Sequence, residues 1–250
     1  MPKVLISDKL SPKAADIFNN RGIVVDFRPG LSEGELREAI RDADGLAIRS
    51  ATTVTPELLD AAENLKVVGR AGIGVDNVNI EAATQRGVVV MNTPFGNSVT
   101  TAEHTIAMIM SLARQLPLAN ASTHAGRWEK SAFMGMEVAG KTLGLIGCGN
   151  IGSIVADRAQ GLKMRVVVCD PFLSAERAMD LSIEKVDFDG LLARADIVSI
   201  HAPLTDGTRN LLNADAIAQM RDGVRIVNCA RGGIIVEADL YQAIKSGKVS

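Results

Sequence analysis

Short apolar runs recur along this chain, and each is followed by a stretch with helical period or helix-start chemistry. In the first part the runs are Val4–Ser7, Ile23–Phe27, Gly45–Ile48, Lys66–Gly69 and Val88–Met91. Between them, Ser11-Pro12 opens a helix with Ser as N-cap and Pro in the first turn, and Gly22 closes it. Ser32-Glu33-Gly34-Glu35 has the form of a capping box, Thr55-Pro56 starts another helix, and Asn79–Gln85 forms a short one. Strands that alternate with helices in this way pair in parallel, with the helices packed on both faces of the sheet.

The rhythm breaks at Asn92–Ser98, which contains Pro and Gly, and a long helix over about Val99–Leu116 follows. Ile106, Ile109, Met110 and Ala113 share one face of it, as core residues do. A second alternation has strands at Thr142–Ile146, Arg165–Cys169, Ile197–Ile200 and Val224–Asn228, and a last helix over Val236–Ser246 with Gly247 as C-cap. The expectation is α/β, two parallel-sheet domains, residues 1–95 and residues 96–250. A length of 250 residues accommodates this, and 47% hydrophobic with 22% charged residues excludes global disorder. A net charge of -2 and 3% aromatics argue against a nucleic-acid partner read through a basic face or stacking platform. No apolar run reaches membrane-spanning length, and the N-terminal run is too brief for a secretion signal. Cys148, Cys169 and Cys229 form neither a disulfide framework nor a metal-spaced cluster, so a reduced, cytoplasmic protein without metal is expected.

The strongest chemical motif is GCGNIG, Gly147–Gly152. Glycines of this spacing also serve ordinary turns, but here they follow the strand Thr142–Ile146 and open a helix, and Asp170 ends the next strand. That is the context of a dinucleotide fingerprint. Gly147 permits the tight turn, Gly149 lets the backbone approach a pyrophosphate, and Gly152 lets helix and strand pack closely. Asp170 is placed to accept hydrogen bonds from a ribose diol and to repel a 2′-phosphate, which favours NAD over NADP.

The segment VNCARGG, Val227–Gly233, lies past the carboxyl end of the strand Val224–Asn228, where ligands bind in such folds. On its residues alone Arg231 is either a surface ion pair or a planar fork for a substrate carboxylate.

Together GCGNIG with Asp170, HAPLT (His201–Thr205), NCARGG and VGRAGIGVDN (Val68–Asn77) resemble the NAD-dependent D-2-hydroxyacid dehydrogenases over essentially the whole chain. The resemblance implies two Rossmann-like domains, one flavodoxin-like and substrate-binding, one dinucleotide-binding. It implies Arg231 at the substrate carboxylate and carbonyl, and Asn150, Ile151 and Asp170 at NAD. Ala202, Pro203, Cys229 and Ala230 would line the nicotinamide through backbone groups. In the first domain it implies backbone N–H groups of Ile73 and Gly74 at the carboxylate, with Arg49, Ser50 and Arg70 at a phosphate. Either arginine could also be a structural ion pair. The stretch from Ile48 to Ser98 points within the family to 3-phospho-D-glycerate as substrate, and so to the first reaction of serine biosynthesis.

The same resemblance implies a catalytic Glu and His beyond the NCARGG segment. None of the three histidines matches that His: His104 falls in the long helix, His124 in a connector, and His201 at a strand end near the cofactor. The chain is therefore expected to be a shortened form, with the C-terminal part of the family fold missing. A homo-oligomer, dimer or tetramer, is expected, with Trp128 either at a subunit or domain contact or packed in the core. The rival readings are a glyoxylate or hydroxypyruvate reductase on the same scaffold, and a non-enzymatic NAD-responsive binding protein or inactive fragment.

Overall fold

The computed structural model describes residues 1–250, which divide into two compact units, Met1–Asn97 and Ser98–Ser250. The boundary falls just after Asn97 rather than at residue 95, because Ser98 already belongs to the long helix.

The first unit runs β1 (Lys3–Ile6), α1 (Pro12–Asn19), β2 (Val24–Phe27), α2 (Glu33–Ala39), β3 (Gly45–Ile48), α3 (Pro56–Ala61), β4 (Val67–Arg70), α4 (Ile80–Gln85) and β5 (Val89–Asn92). All pairs are parallel and the sheet order is β2-β1-β3-β4-β5, the flavodoxin-like order. Leu5, Leu46 and Val68 alternate toward one face, where Leu36, Ile40, Leu58 and Leu59 from the helices cover them. Val4, Ile6 and Ala47 point to the other face and pack with Phe18. Burying a side chain such as Leu46 or Ile48 contributes about 1.5–3 kcal/mol. The capping box at Ser32 and Glu35 forms as the sequence predicts, and the Thr55 hydroxyl accepts the Leu58 N–H. Ser11 departs from expectation: its hydroxyl makes no cap bond, and only its carbonyl, taking the Ala14 N–H, starts α1.

The second unit opens with α5 (Ser98–Arg114) and α6 (Leu116–His124), then a single 3-10 turn at Lys130–Phe133. The sequence suggested one helix ending at Leu116 and a connector containing His124. Instead Gln115 takes a left-handed conformation (φ 53°), α6 starts there with Pro117 in its first turn, and His124 closes it. The sheet follows: β6 (Thr142–Ile146), α7 (Asn150–Gly161), β7 (Arg165–Cys169), α8 (Ala175–Asp180), β8 (Glu184–Lys185), α9 (Phe188–Arg194), β9 (Ile197–Ile200), α10 (Ala214–Gln219), β10 (Arg225–Asn228) and α11 (Glu237–Ser246). Its order, β10-β9-β6-β7-β8, is all parallel and reproduces five positions of the dinucleotide-binding sheet. β6 and β9 are buried along their whole length, as central parallel strands are. Ile109 and Ala113 of α5 are fully buried in one core layer, with Ile106 and Met110 packed against it. No helix is long and apolar enough to cross a membrane.

Candidate active site

In the second unit the register sets Asn228 beside Ile200, Ile200 beside Ile146, and Ile146 beside Cys169. The segments after these strands therefore share the carboxyl rim of one sheet. Gly147–Gly152, Asp170, His201–Pro203 and Cys229–Arg231 all lie on it.

Gly147 sits at φ 96°, and a Cβ there would stand 2.8 Å from the His201 carbonyl oxygen. The turn after β6 and the turn after β9 thus approach so closely that only glycine fits. A Cβ on Gly152 would overlap the Gly147 carbonyl. Gly149 is different: a Cβ there would meet nothing within 4 Å. The open space lies at the N-terminus of α7, where Gly149 is the N-cap, no side chain caps the helix, and no acidic residue occupies the first turn. Backbone N–H groups with positive helix-end charge and room beside them suit a pyrophosphate.

Asp170 completes this cradle. Its Oδ2 accepts the Cys148 N–H at 2.6 Å and its Oδ1 the Phe172 N–H at 2.7 Å. A carboxylate has about four acceptor directions, so capacity for a ribose diol is left. The donor set and the free space fit NAD. Burial and the neighbouring Asp170 charge push the Cys148 thiol up to about 11, which makes it an inert packing group.

On the other side of the switch point, Thr208 Oγ1 donates to the Pro203 carbonyl at 2.6 Å and accepts the Thr205 N–H, holding the loop after β9. The Asn228 side chain accepts the Ala230 N–H at 3.0 Å and donates to the Arg231 carbonyl at 2.8 Å, which sets the turn carrying Arg231. One Arg231 guanidinium N–H goes to the Ala230 carbonyl. Asn228 and Thr208 were not singled out from sequence. An Asn at a strand end, two residues before its N–H partner, is the turn signal that could have found the first. His201 donates or accepts a 2.9 Å bond with Ser199 Oγ, and burial lowers its pKa to about 4, so it is neutral at physiological pH.

In the first unit, Arg49 and Ser50 follow β3 and Arg70 ends β4, with Ile48 and Arg70 paired in register. Neither Arg49 nor Arg70 makes an ion pair, and Arg70 Nε is buried without a hydrogen-bond partner. The Arg70 guanidinium lies against Gly72, where any Cβ would overlap it. The Gly72 carbonyl accepts the Thr93 N–H and the Ile73 carbonyl the Asn92 amide, while no intramolecular bond takes the Ile73 or Gly74 N–H. The rim thus carries two arginines that form no ion pair and a pair of spare backbone donors. Three further polar side chains, Asp8, Asn77 and Asn92, hold these loops. Their bonds reach 41, 28 and 19 positions along the chain.

A Gly-rich turn opening a helix, an acid at the end of the next strand, and this sheet order define a dinucleotide-binding α/β domain. The family model for the NAD binding domain of the D-isomer specific 2-hydroxyacid dehydrogenases matches residues 106–250. The chain belongs to that family. It is 47% identical over 248 residues to a D-3-phosphoglycerate dehydrogenase of Archaeoglobus fulgidus, covering 99% of this chain and 47% of the relative. It is 48% identical over 246 residues to the D-3-phosphoglycerate dehydrogenase of Homo sapiens, covering 98% of this chain and 46% of that protein. The chain thus spans about half the length of the curated relatives it matches. The crystal structure of the TT0316 protein from Thermus thermophilus superimposes with a TM-score of 0.91 at 34% identity, covering 99% of this chain and 79% of that one.

Proposed function

We propose that the protein carrying this chain oxidises 3-phospho-D-glycerate to 3-phosphohydroxypyruvate with NAD, the first reaction of serine biosynthesis. The observation that carries the substrate is the pair Arg49 and Arg70, adjacent at the carboxyl ends of β3 and β4 and lacking any carboxylate partner. Two arginines from neighbouring strand ends, neither of them in an ion pair, suit an anionic ligand. The names of the curated relatives support the same substrate.

In this reading residues 1–97 form the substrate-binding domain. Arg49, the Ser50 N–H and Arg70 hold the phosphate, and the Ile73 and Gly74 N–H groups serve the carboxylate. Residues 98–250 form the NAD-binding domain. Gly147, Gly149, Asn150, Ile151 and Gly152 hold the pyrophosphate, Asp170 the adenosine ribose, and Ala202, Pro203, Cys229 and Ala230 the nicotinamide side. When bound, NAD would supply the acceptor for the C2 hydride, while the hydroxyl proton would pass to the catalytic His that the family resemblance implies. Arg231 is the catalytic cation: its fixed fork binds the carboxylate and its charge polarises the forming carbonyl. His201, a base with pKa about 4, is too weak to take the hydroxyl proton at neutral pH. The apolar residues exposed on α5 and α6, among them Met108, Leu112 and Leu118, and Trp128 at 83% exposure support a homo-oligomer. Three free cysteines accord with a cytoplasmic setting.

A substrate panel on the full-length protein tests the reading. NADH formation should be fastest with 3-phosphoglycerate and NAD, and weak with glycerate. Preferred turnover of glyoxylate or hydroxypyruvate would assign a reductase instead. Binding of NAD without turnover of any of these acids would assign a non-enzymatic role.

A further inference from the structure

Asp8 lies two residues beyond β1, is 4% exposed, and takes no part in a salt bridge. Its Oδ2 accepts the N–H groups of Arg49 (2.6 Å), Ala51 (3.2 Å) and Thr52 (3.3 Å), and its Oδ1 accepts the Thr52 hydroxyl at 2.6 Å. From the opposite side, Asn77 Nδ2 donates to the carbonyls of Arg49 (2.7 Å) and Thr52 (2.6 Å). Both ends of the 49–52 segment are thereby fixed by two side chains that come from other loops of the same sheet rim. The Ser50 N–H is the one amide of the segment that Asp8 does not take, and no other intramolecular bond takes it.

We propose that Asp8 and Asn77 are positioning residues for an anion site formed by Arg49, the Ser50 N–H and Arg70. The inference rests on reading those three groups as the phosphate site. A buried carboxylate carries a desolvation cost that its four donors must offset, and a surface turn could close with local bonds alone. The long-range clamp is explained by what the segment has to do. It fixes the backbone that carries Arg49, at the strand end next to the one that carries Arg70, before any anion arrives. Asp8 accepts the N–H groups on either side of Ser50 and leaves the Ser50 N–H for the ligand. Being buried and anionic, Asp8 acts through Arg49 and not by touching a phosphate.

The test is a double-mutant cycle on the full-length protein with 3-phosphoglycerate, using Asp8→Asn, Asn77→Ala, Arg49→Ala and the two doubles with Arg49→Ala. An asparagine at 8 can still accept through oxygen and bond Thr52 through its amide, so the turn can form with weaker, uncharged bonds. Each positioning variant should raise the KM for 3-phosphoglycerate about tenfold. Turnover should stay within about twofold, because binding rather than the chemical step is disturbed. The affinity for NAD should not move. In the Arg49→Ala background each variant should raise KM by clearly less than in the native one, what remains passing through the Ser50 N–H. The inference is overturned if both variants raise KM as much in that background as in the native one, since the effect then does not pass through Arg49. It is also overturned if Arg49→Ala raises KM and neither positioning variant does. An Arg49→Ala protein with native KM would instead bring down the phosphate-site reading, and the clamp's role with it. If Asp8→Asn fails to fold, as shown by thermal unfolding, Asn77→Ala carries the same cycle.

Discussion

Asp170 and Cys148, 22 positions apart, are joined by a 2.6 Å bond from the Cys148 N–H to the Asp170 carboxylate. The acid that would read the cofactor's ribose is therefore also a brace for the Gly-rich turn that would hold its pyrophosphate. Asp170→Ala removes the acceptor of two backbone N–H groups together with the ribose acceptor and the negative charge. NAD affinity should fall by tenfold or more, at roughly 1.5–3 kcal/mol for a hydrogen bond to a charged group. The preference for NAD over NADP should fall with it, because the charge that repels a 2′-phosphate is gone. Calorimetric titration of both cofactors measures this, and an unchanged preference would show that Asp170 does not read the ribose.

Gly149 and Gly152 belong to one motif but should respond differently to alanine. At 152 the new Cβ overlaps the Gly147 carbonyl, a backbone atom that cannot step aside. Overpacking of this kind costs about 1–3 kcal/mol, so Gly152→Ala should lower both the unfolding temperature and NAD affinity. At 149 the Cβ meets no atom within 4 Å and φ is -73°, which alanine adopts freely. Gly149→Ala should therefore unfold near the native temperature while binding NAD much more weakly, its methyl group standing in the pyrophosphate's space. Native NAD affinity in that variant would mean the cofactor does not use the N-terminus of α7.

The strands that carry these sites were legible because their apolar runs are short and bounded by capping chemistry, as at Ser32–Glu35 and Thr55-Pro56. β8 was not legible: it is two exposed, charged residues, Glu184 and Lys185, with no apolar run to announce it. Nothing in Gln115 foretells a left-handed residue, although Pro117 two positions on fits the first turn of a new helix. GCGNIG and Asp170 were readable because strand, turn, helix and acid follow in order within one βαβ unit. Asp8 and Asn77 were not, because their meaning lies in contacts 41 and 28 positions away, which only the sheet order β2-β1-β3-β4-β5 brings together.

Arg49 and Arg70 lead to a third expectation. Two like charges at neighbouring strand ends repel each other, and an anion that bridges them is bound only by the folded protein. Inorganic phosphate and 3-phosphoglycerate should each raise the unfolding temperature, and the shift should grow with concentration as ligand linkage requires. Sodium chloride at equal ionic strength should not reproduce it beyond general screening. Arg49→Ala or Arg70→Ala should abolish the shift. Differential scanning fluorimetry suffices, and a shift that survives both substitutions would place the anion elsewhere.

His201 gives stability a pH dependence with a definite sign. Burial lowers its pKa from 6.5 to about 4 in the folded chain, so between those values the unfolded chain binds a proton that the folded chain does not. Stability from this group is fully present above about pH 6.5 and is lost as pH falls toward 4. The loss is on the order of 2–3 kcal/mol, the lower part of that range allowing for the water that reaches part of the residue. The Ser199 hydroxyl bonded to the ring suits a neutral imidazole as either donor or acceptor. A glutamine can keep a polar tip near Ser199 without titrating, so His201→Gln should flatten the dependence over this window even if it lowers stability throughout. Urea unfolding of the native and variant proteins at several pH values between 4 and 7 measures the difference. Parallel curves would show that the imidazole is not the group responsible.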